Sequence, residues 1–385
     1  MHQAIHNNDS IVFVDKYFIC TVLALIVIGV VMITSASMAI SERQFADPFH
    51  YLFRQLLYLL LGGLIASIVV RVRMSVWHKM GFPLLGISIV MLFLVMIPGI
   101  GHVLNGSRRW LGVGSFSIQV SEFVKLAMVI YLAGYLVRHH AEVRQDISGF
   151  IKPMALLGLI GLLLLLEPDF GATVVIVMTA FAMMYLAGVR LWQFALLIAA
   201  VVILFGILAV SSPYRMARLT GFLNPWAHQF NSGYQLTQSL IAFGRGGLFG
   251  VGLGDSIQKL FYLPEAHTDF LFAVIAEEFG LFGILVIVGL YIVLVWRALL
   301  IGKRAQFAGQ SISGYMAYGF AIWLAMQAVV NIGVNAGLLP TKGLTLPLVS
   351  YGGSSMLVIF VVIALLLRID YEARFEGKQL PKSPY

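Results

Sequence analysis

The chain has 385 residues, of which 60% are hydrophobic and only 11% are charged, and its formal net charge is +8. Its mean hydropathy is +0.93. A soluble domain carries roughly 25% charged residues, so this composition excludes a protein whose whole surface faces water. An integral membrane protein is predicted. The apolar runs are about 20 residues long and do not alternate in polarity, which favours helices over a β-barrel.

The single cysteine, Cys20, lies in the first apolar run, which excludes a disulfide framework and a cysteine metal site. That run is too long for the apolar core of a signal peptide and is followed by many more, so an uncleaved anchor is expected. We predict an all-α protein with about ten transmembrane helices, at 17–38, 52–70, 80–97, 119–137, 153–168, 170–187, 191–210, 270–296, 314–337 and 344–367.

The predicted membrane domain covers residues 17–368, with inner segments at 1–16 and 369–385. An even number of spans places both ends on one side. Most of the 25 Lys and Arg residues fall on that side, which favours cytoplasmic N- and C-termini. The predicted outer loop between the seventh and eighth spans, 211–268, is far longer than usual. Its aromatic residues argue against disorder, and short helices at the outer interface are expected.

The stretch LPEAHTDFLFAVIAEEFG places several ionisable groups directly before an apolar helix. A carboxylate here must lie at the interface or face a wet cavity. Asp269 either caps the helix or, with its pKa raised by partial burial, acts as a general base. His267 is either a second titrating group or a packing residue. Glu277 and Glu278 are interpreted as structural.

Further charged residues are predicted near the outer face. Glu122 and Lys125 share one helix face, which suits a mutual ion pair, a Lys125 that points at an anion, or both. Asp169 follows Glu167 and Pro168 in a tight turn, and the capping interpretation is favoured there. Clustered cations also lie in the outer loops, namely the five arginines Arg108, Arg109, Arg215, Arg218 and Arg245, together with Lys259.

Two glycine-containing segments complete the pattern. FGRGGLFGVGLGDS suits either an anion-binding backbone nest or flexible turns. LPTKGLTLPLVSYGGSS breaks the helix before the last span, and such a break survives at membrane depth only where it lines a cavity or packs in protein. Hydroxyls of Ser350, Ser354 and Ser355 lie at that break. Together these features predict an outer polar cavity for an anionic, partly lipidic substrate, and leave open whether it is moved or transformed.

Several long strings resemble the SEDS (shape, elongation, division, sporulation) family of bacterial cell-wall polymerases. They are NPWAHQFNSGYQLTQSLIAFGRGGLFGVGLGDSIQKLFYLPEAHTDFLFAVIAEEFG and LPTKGLTLPLVSYGGSS. The resemblance covers nearly the whole chain, and YLPEAHTDF and PTKGLTLP are closer to the division members than to the elongation members. One departure is Val120, where the family usually has proline.

The resemblance implies a peptidoglycan glycosyltransferase at the division septum of the cytoplasmic (cell inner) membrane. Its substrate would be lipid II, an undecaprenyl-pyrophosphate-linked disaccharide-pentapeptide, and its partners a class B penicillin-binding protein transpeptidase and other division proteins. No nucleic-acid partner is expected. The family's proposed catalytic acid falls on Asp269, its SE..K pair on Glu122 and Lys125, and the acid of its PDFG turn on Asp169.

In this interpretation Asp269 takes a proton from the acceptor sugar, and cations stabilise the departing pyrophosphate. The stabilising cation would be Lys125, one or more of the five loop arginines, or a divalent cation such as Mg²⁺ or Mn²⁺, and the choice among them stays open. Two other functions are considered, a lipid II flippase and a non-catalytic division scaffold. A flippase needs an inward-open state and a passage as wide as its substrate, but no general base.

Overall fold

The computed structural model describes residues 15–104, 107–113, 116–190, 192–195, 222–340 and 343–376. In these ranges the chain forms a bundle of long helices with one small sheet. The elements in chain order are α1 (Lys16–Phe45), α2 (His50–Val69), α3 (Met74–Met96), β1 (Gly101–Leu104), β2 (Ser107–Val113), β3 (Phe116–Gln119), α4 (Val120–Arg138), α5 (His140–Gln145), α6 (Ile147–Leu166), α7 (Phe170–Leu186), α8 (Tyr234–Gly246), α9 (Leu271–Phe307), α10 (Ser311–Asn335) and α11 (Gly353–Glu376).

Within the described ranges, eight helices are long and apolar enough to cross a membrane, and α7 is a shorter apolar helix. These correspond to nine of the ten predicted spans. The remaining one, 191–210, lies outside the described residues except for 192–195. The prediction of an all-α integral membrane protein is confirmed, and the count of ten stays a prediction.

The bundle has a central helix and a periphery. In α4, 83% of the most apolar window is buried inside the protein, compared with 17% in α2. Helix α4 packs against α3, α7 and α10, while α9 packs against α10 and α11 against α2. The central helix therefore carries Glu122 and Lys125 into the interior.

A small antiparallel sheet, ordered β1-β2-β3, precedes α4. Gly101 pairs with Leu111, and Trp110 pairs with Gln119. The sequence predicts only a loop here. The missed signal is the Asn-Gly dipeptide at 105–106, which is typical of two-residue hairpin connections.

Helix α9 is broken at Gly280, whose φ of 62° and ψ of −155° are non-helical. The glycine-rich segment pairs with the break, because the Gly247 carbonyl accepts from the Leu281 amide at 3.0 Å and the Glu277 carbonyl accepts from the Val251 amide at 3.0 Å. The glycines thus let two backbones meet and satisfy polar groups that the break exposes. The anion-nest interpretation stays a prediction.

The described part of the predicted outer loop, 222–268, contains α8 and a 3₁₀ turn at Trp226–His228. The expectation of short helices in this loop is confirmed. Glu277 and Glu278 are also structural, as expected, because they pair with Arg245 at 3.1 Å and with Lys259 at 2.7 Å.

The last helix differs from its predicted limits at both ends. It begins at Gly353, not at 344, since Leu348 has a non-helical φ of 67° and carbonyls of this segment bond to side chains of α10. It continues through residue 376, beyond the predicted 367, and Asp370 and Arg374 pair at 2.8 Å along it.

An ion-pair network joins α1, α9 and α11 at the end of the bundle opposite Asp269. Asp15 accepts from Arg297 and from Arg304, the latter at 3.2 Å, and lies 3.8 Å from Arg374. Arg304 also pairs with Asp370 at 2.7 Å. The two described ends of the chain therefore meet at one end of the bundle, as an even number of spans requires.

Candidate active site

Asp269 lies in a turn directly before α9. The Glu265 carbonyl accepts from the amides of Thr268 at 3.2 Å and Phe270 at 3.1 Å, which closes the turn. The residue at the cap position of α9 is Phe270, and no side chain caps the helix there. The capping interpretation of Asp269 is therefore wrong, and its carboxylate is left for another role.

Two buried amides of α10 hold the backbone of Asp269 instead. Its carbonyl accepts from Asn331 Nδ2 at 2.8 Å and from Asn335 Nδ2 at 3.0 Å. Asn335 Oδ1 in turn accepts from the Ala273 amide at 3.1 Å, in the first turn of α9. Neither amide is among the candidate residues singled out from the sequence. The sequence signal for them is that Gln327, Asn331 and Asn335 follow one another at intervals of four residues, which places three amides on one face of an apolar span.

The broken segment after α10 forms the wall beside Asp269. A Cβ placed on Gly343 would lie 2.7 Å from Asp269 Oδ2, so the carboxylate lies against bare backbone. The carbonyls of Leu344 and Thr345 accept from Asn331 at 2.6 Å and from Gln327 at 3.0 Å. Of the two alternatives for this segment, these bonds show packing against α10, and its role as the wall of a cavity stays a prediction.

The Asp269 carboxyl has an unusual acidity for an aspartate. Burial raises its pKa to about 7, and the negative charges of Glu265 and Asp169 add to the rise, while Arg109 opposes it. The residue as a whole is half-buried. A carboxyl with this pKa is partly ionised at neutral pH and can accept a proton.

Arg109 of β2 joins the sheet to the turn before α7. Its Nη2 donates to the Pro168 carbonyl at 2.7 Å, its Nε donates to the Glu167 carbonyl at 3.1 Å, and its Nη1 lies 3.9 Å from Asp169 Oδ1. The Asp169 side chain accepts from the Ala172 amide at 3.2 Å. The capping interpretation of Asp169 is confirmed, and the turn also carries a fixed cation.

Glu167 is a second perturbed acid in this turn. It is 3% exposed, and neither carboxylate oxygen has a hydrogen-bond partner among the described residues. Burial raises its pKa to about 8, and Asp169 adds to the rise while Arg109 opposes it. Glu167 is therefore mostly protonated at neutral pH.

Glu122 and Lys125 form an ion pair at 2.9 Å inside the bundle. Lys125 Nζ also donates to Gln327 at 2.7 Å and lies 5.1 Å from the centroid of the Trp323 ring. Lys125 is 2% exposed, so its ammonium does not reach the surface in this conformation. The mutual pair is confirmed, and contact with an anionic substrate stays a prediction.

His267 and Ser354 are both engaged inside the protein. The His267 ring packs against Tyr51 at 4.6 Å and Tyr351 at 5.8 Å, and burial lowers its pKa while Glu265 opposes the shift. Ser354 Oγ accepts from the Gln119 amide and donates to the Ser117 carbonyl, both at 3.0 Å. These contacts favour packing for His267 and anchoring of β3 for Ser354.

The remaining loop arginines have different surroundings. Arg108 donates to the Met96 carbonyl at 3.2 Å, and Arg245 pairs with Glu277. Arg215 and Arg218 lie outside the described residues. Arg109 is thus the arginine whose charge acts on Asp269 in the described part of the chain.

The described residues do not form a ready metal site, because no three His, Cys, Asp or Glu side chains among them converge as ligands. A metal ion held by protein ligands alone therefore does not fit this part of the chain. The available acids would supply one or two oxygen ligands at most.

The fold and the site define a polytopic membrane protein with a titratable carboxyl and a fixed arginine at one end of its bundle. A family model described as "Cell cycle protein", labelled with FtsW, RodA and SpoVE, matches residues 15–375. The chain therefore belongs to this family, and the resemblance found in the sequence is confirmed.

Relatives within the family are similar over almost the entire chain. A protein of Legionella pneumophila is 60% identical over 363 residues, which cover 94% of this chain and 92% of the relative. A protein of Coxiella burnetii is 56% identical over 358 residues, covering 93% and 96%. Both carry the name probable peptidoglycan glycosyltransferase FtsW.

Two solved structures have the same fold. A chain from a peptidoglycan synthase complex, described as coordinating polymerization and crosslinking, matches with a TM-score of 0.77 at 27% identity and covers 94% of this chain and 98% of its own. The rod shape determining protein RodA of Thermus thermophilus matches with a TM-score of 0.68 at 28% identity, covering 93% and 96%.

Proposed function

We propose that the chain is a peptidoglycan glycosyltransferase of cell division that polymerises lipid II into glycan strands, with Asp269 as general base. The family and the names of relatives at 56–60% identity support the enzyme class. The observation that carries the base assignment is the Asp269 carboxyl, which lies against the Gly343 backbone, does not cap α9 and has a pKa of about 7.

The reaction follows from this placement. Asp269 accepts the proton of the acceptor sugar's 4-hydroxyl, and that oxygen forms a bond to the anomeric carbon of the donor. The bond from this carbon to the pyrophosphate oxygen breaks, and undecaprenyl pyrophosphate leaves with the electron pair. A single displacement inverts the anomeric configuration from α to β.

Negative charge develops on the departing pyrophosphate, so a fixed cation at the site would lower the barrier. Arg109 suits this task best, since it is held by two backbone carbonyls and its charge already acts on Asp269. Lys125 would join only if the bundle opened, because its ammonium is buried with Glu122. Arg108 and Arg245 would first leave their present partners.

A divalent cation, Mg²⁺ or Mn²⁺, is proposed to arrive with the substrate. Mg²⁺ is commonly held by one or two carboxylates together with substrate phosphates. The acids near Asp269 match that arrangement better than a site made by the protein alone. Such an ion would neutralise charge on the pyrophosphate.

The proposed setting is the cytoplasmic membrane at the division septum, with both termini in the cytoplasm and Asp269 at the outer face. The likeness to a chain of a synthase complex supports a crosslinking partner, proposed to be a class B penicillin-binding protein transpeptidase. Other division proteins are proposed to join it.

The test uses purified full-length protein, lipid II and the cognate transpeptidase, with glycan strands resolved on gels. Wild type should form polymer, and Asp269→Ala should form none while still binding the transpeptidase. Asp255→Ala is the matched control, because Asp255 is an exposed acid in the same outer segment. It should retain wild-type polymerisation.

The same experiment separates the other two functions. Full polymerisation by Asp269→Ala would remove the base assignment. A wild type that makes no strands but moves lipid II across vesicle membranes would support a flippase, and one that only binds the transpeptidase would support a scaffold.

A further inference from the structure

The buried amides of α10 have no part in the mechanism above, yet they reach both halves of the site. Asn331 is 2% exposed, and Gln327 and Asn335 are completely buried. They recur every four residues, so they lie in a row on one face of the helix. Buried amides in an apolar span are costly unless they are satisfied, which makes their contacts informative.

The row connects the central ion pair to the catalytic turn. Gln327 Oε1 accepts from Lys125 at 2.7 Å, and its Nε2 donates to the Thr345 carbonyl at 3.0 Å. Asn331 Nδ2 donates to the carbonyls of both Asp269 and Leu344, at 2.8 Å and 2.6 Å. One amide group therefore ties the catalytic turn directly to the broken segment that forms its wall.

Asn335, the last amide of the row, contacts both the Asp269 turn and the first turn of α9. Its Nδ2 donates to the Asp269 carbonyl at 3.0 Å, and its Oδ1 accepts from the Ala273 amide at 3.1 Å. It thus bonds to backbone on both sides of the junction between turn and helix, where the helix has no side-chain cap of its own. Its own carbonyl accepts from Ser239 of α8 at 2.7 Å.

We propose that Asn331 and Asn335 are positioning residues for the polymerase reaction, which fix the Asp269 turn against the 343–345 wall and so keep the carboxylate in place and partly dry. The inference rests on the proposed role of Asp269 as base. Neither amide touches the carboxylate, so both act through the backbone. Precise placement of a base has a large effect on rate.

The groups that face the Asp269 carboxyl in the described chain are Glu265 of its own turn, Asp169 before α7 and Arg109 of β2. Replacing either amide by leucine leaves these charges unchanged. It loosens the wall, lets water reach the carboxyl and reduces the desolvation that raises its pKa. The half-maximal pH of polymerisation should then move downward.

The experiment measures polymerisation by full-length Asn331→Leu and Asn335→Leu with lipid II and the transpeptidase, from pH 5 to 9. We expect kcat to fall about 10- to 100-fold, KM for lipid II to change less than threefold, and the half-maximal pH to drop by at least half a unit. A loss of folded protein would scale the rate equally at every pH and leave that midpoint unchanged.

Gln193→Leu is the matched control, because Gln193 is a buried amide beyond the far end of α7, away from the site. It should keep both kcat and midpoint. If the leucine variants do not accumulate, Asn331→Ser and Asn335→Ser keep a short polar group and should show the same two changes in smaller measure.

Asp269→Asn is assayed alongside to separate two failures. If it is inactive while both Asn331 and Asn335 variants keep wild-type kcat and midpoint, the positioning role is overturned and the proposed function stands. If Asp269→Asn polymerises normally, the base assignment itself is overturned.

Discussion

At the scale of single residues, two aspartates that precede apolar helices have different tasks. Asp169 accepts from an amide in the first turn of α7, whereas Asp269 does not cap α9. The cap of α9 is supplied from α10, through Asn335. Because Asn335 accepts from an amide in the first turn of α9, the Asp269 carboxylate is not needed as the cap of that helix.

The neighbours of Asp269 should set the pH dependence of the enzyme. Its protonated form cannot accept a proton, so the rate should rise with pH until the carboxyl is ionised, near its pKa of about 7. Glu265→Gln removes a negative charge that raises this pKa, so the half-maximal pH should move lower. The measurement is the polymerisation rate from pH 5 to 9. An unchanged profile in Glu265→Gln would show that Glu265 does not act on the base.

The buried pair in α4 should matter for stability. Lys125→Met leaves Glu122 buried without its cation, which costs about 3–5 kcal/mol in comparable pairs. The double variant Glu122→Gln, Lys125→Met removes the charge and should recover much of the loss. Thermal unfolding in detergent measures both. A single variant as stable as wild type would show that the pair does not stabilise the fold.

At the scale of elements, the break in α9 depends on a conformation that only glycine adopts easily. A Cβ on Gly280 would lie 2.5 Å from the Gly250 amide nitrogen, and its φ of 62° with ψ of −155° is strained for other residues. Gly280→Ala should therefore destabilise the protein by about 1–3 kcal/mol or more and reduce activity, as read from unfolding and polymerisation. Gly289→Ala in the same helix meets open space and should be neutral or slightly stabilising.

The wall segment should be equally sensitive beside the carboxylate. Gly343→Ala places a methyl group 2.7 Å from Asp269 Oδ2, so the carboxylate must shift. We expect kcat to fall more than tenfold while folding and transpeptidase binding persist. Gly63→Ala, where a Cβ meets nothing within 4 Å, is the control. Normal kcat in Gly343→Ala would show that the carboxylate does not need this position.

At the scale of the whole molecule, the long helices could be predicted because span length and hydropathy are local properties of the chain. The break at Gly280 and the late start of α11 could not, since each depends on partners distant in sequence. The sheet before α4 had a local signal, the Asn-Gly dipeptide at 105–106. The sequence identifies Asp269, Asp169 and Arg109 as candidates. It does not show that Asp169 caps its helix while Asp269 does not, because the capping bond of α9 comes from Asn335 of α10.

The same dependence explains why Lys125 could not be placed from sequence. Its spacing from Glu122 predicts an ion pair, but its burial follows from the central position of α4. The amides of α10 therefore lie between the buried Glu122–Lys125 pair and the turn that carries Asp269.

The most direct test of the central claim compares wild type with Asp269→Asn in lipid II polymerisation across pH 5 to 9. The isosteric amide keeps the shape of the site but cannot act as a base at these pH values. Wild type should gain nearly tenfold in rate per pH unit until about pH 7 and then level off, while Asp269→Asn should be at least 100-fold slower and show no such rise. A variant that matches the wild-type rate and profile would contradict the account.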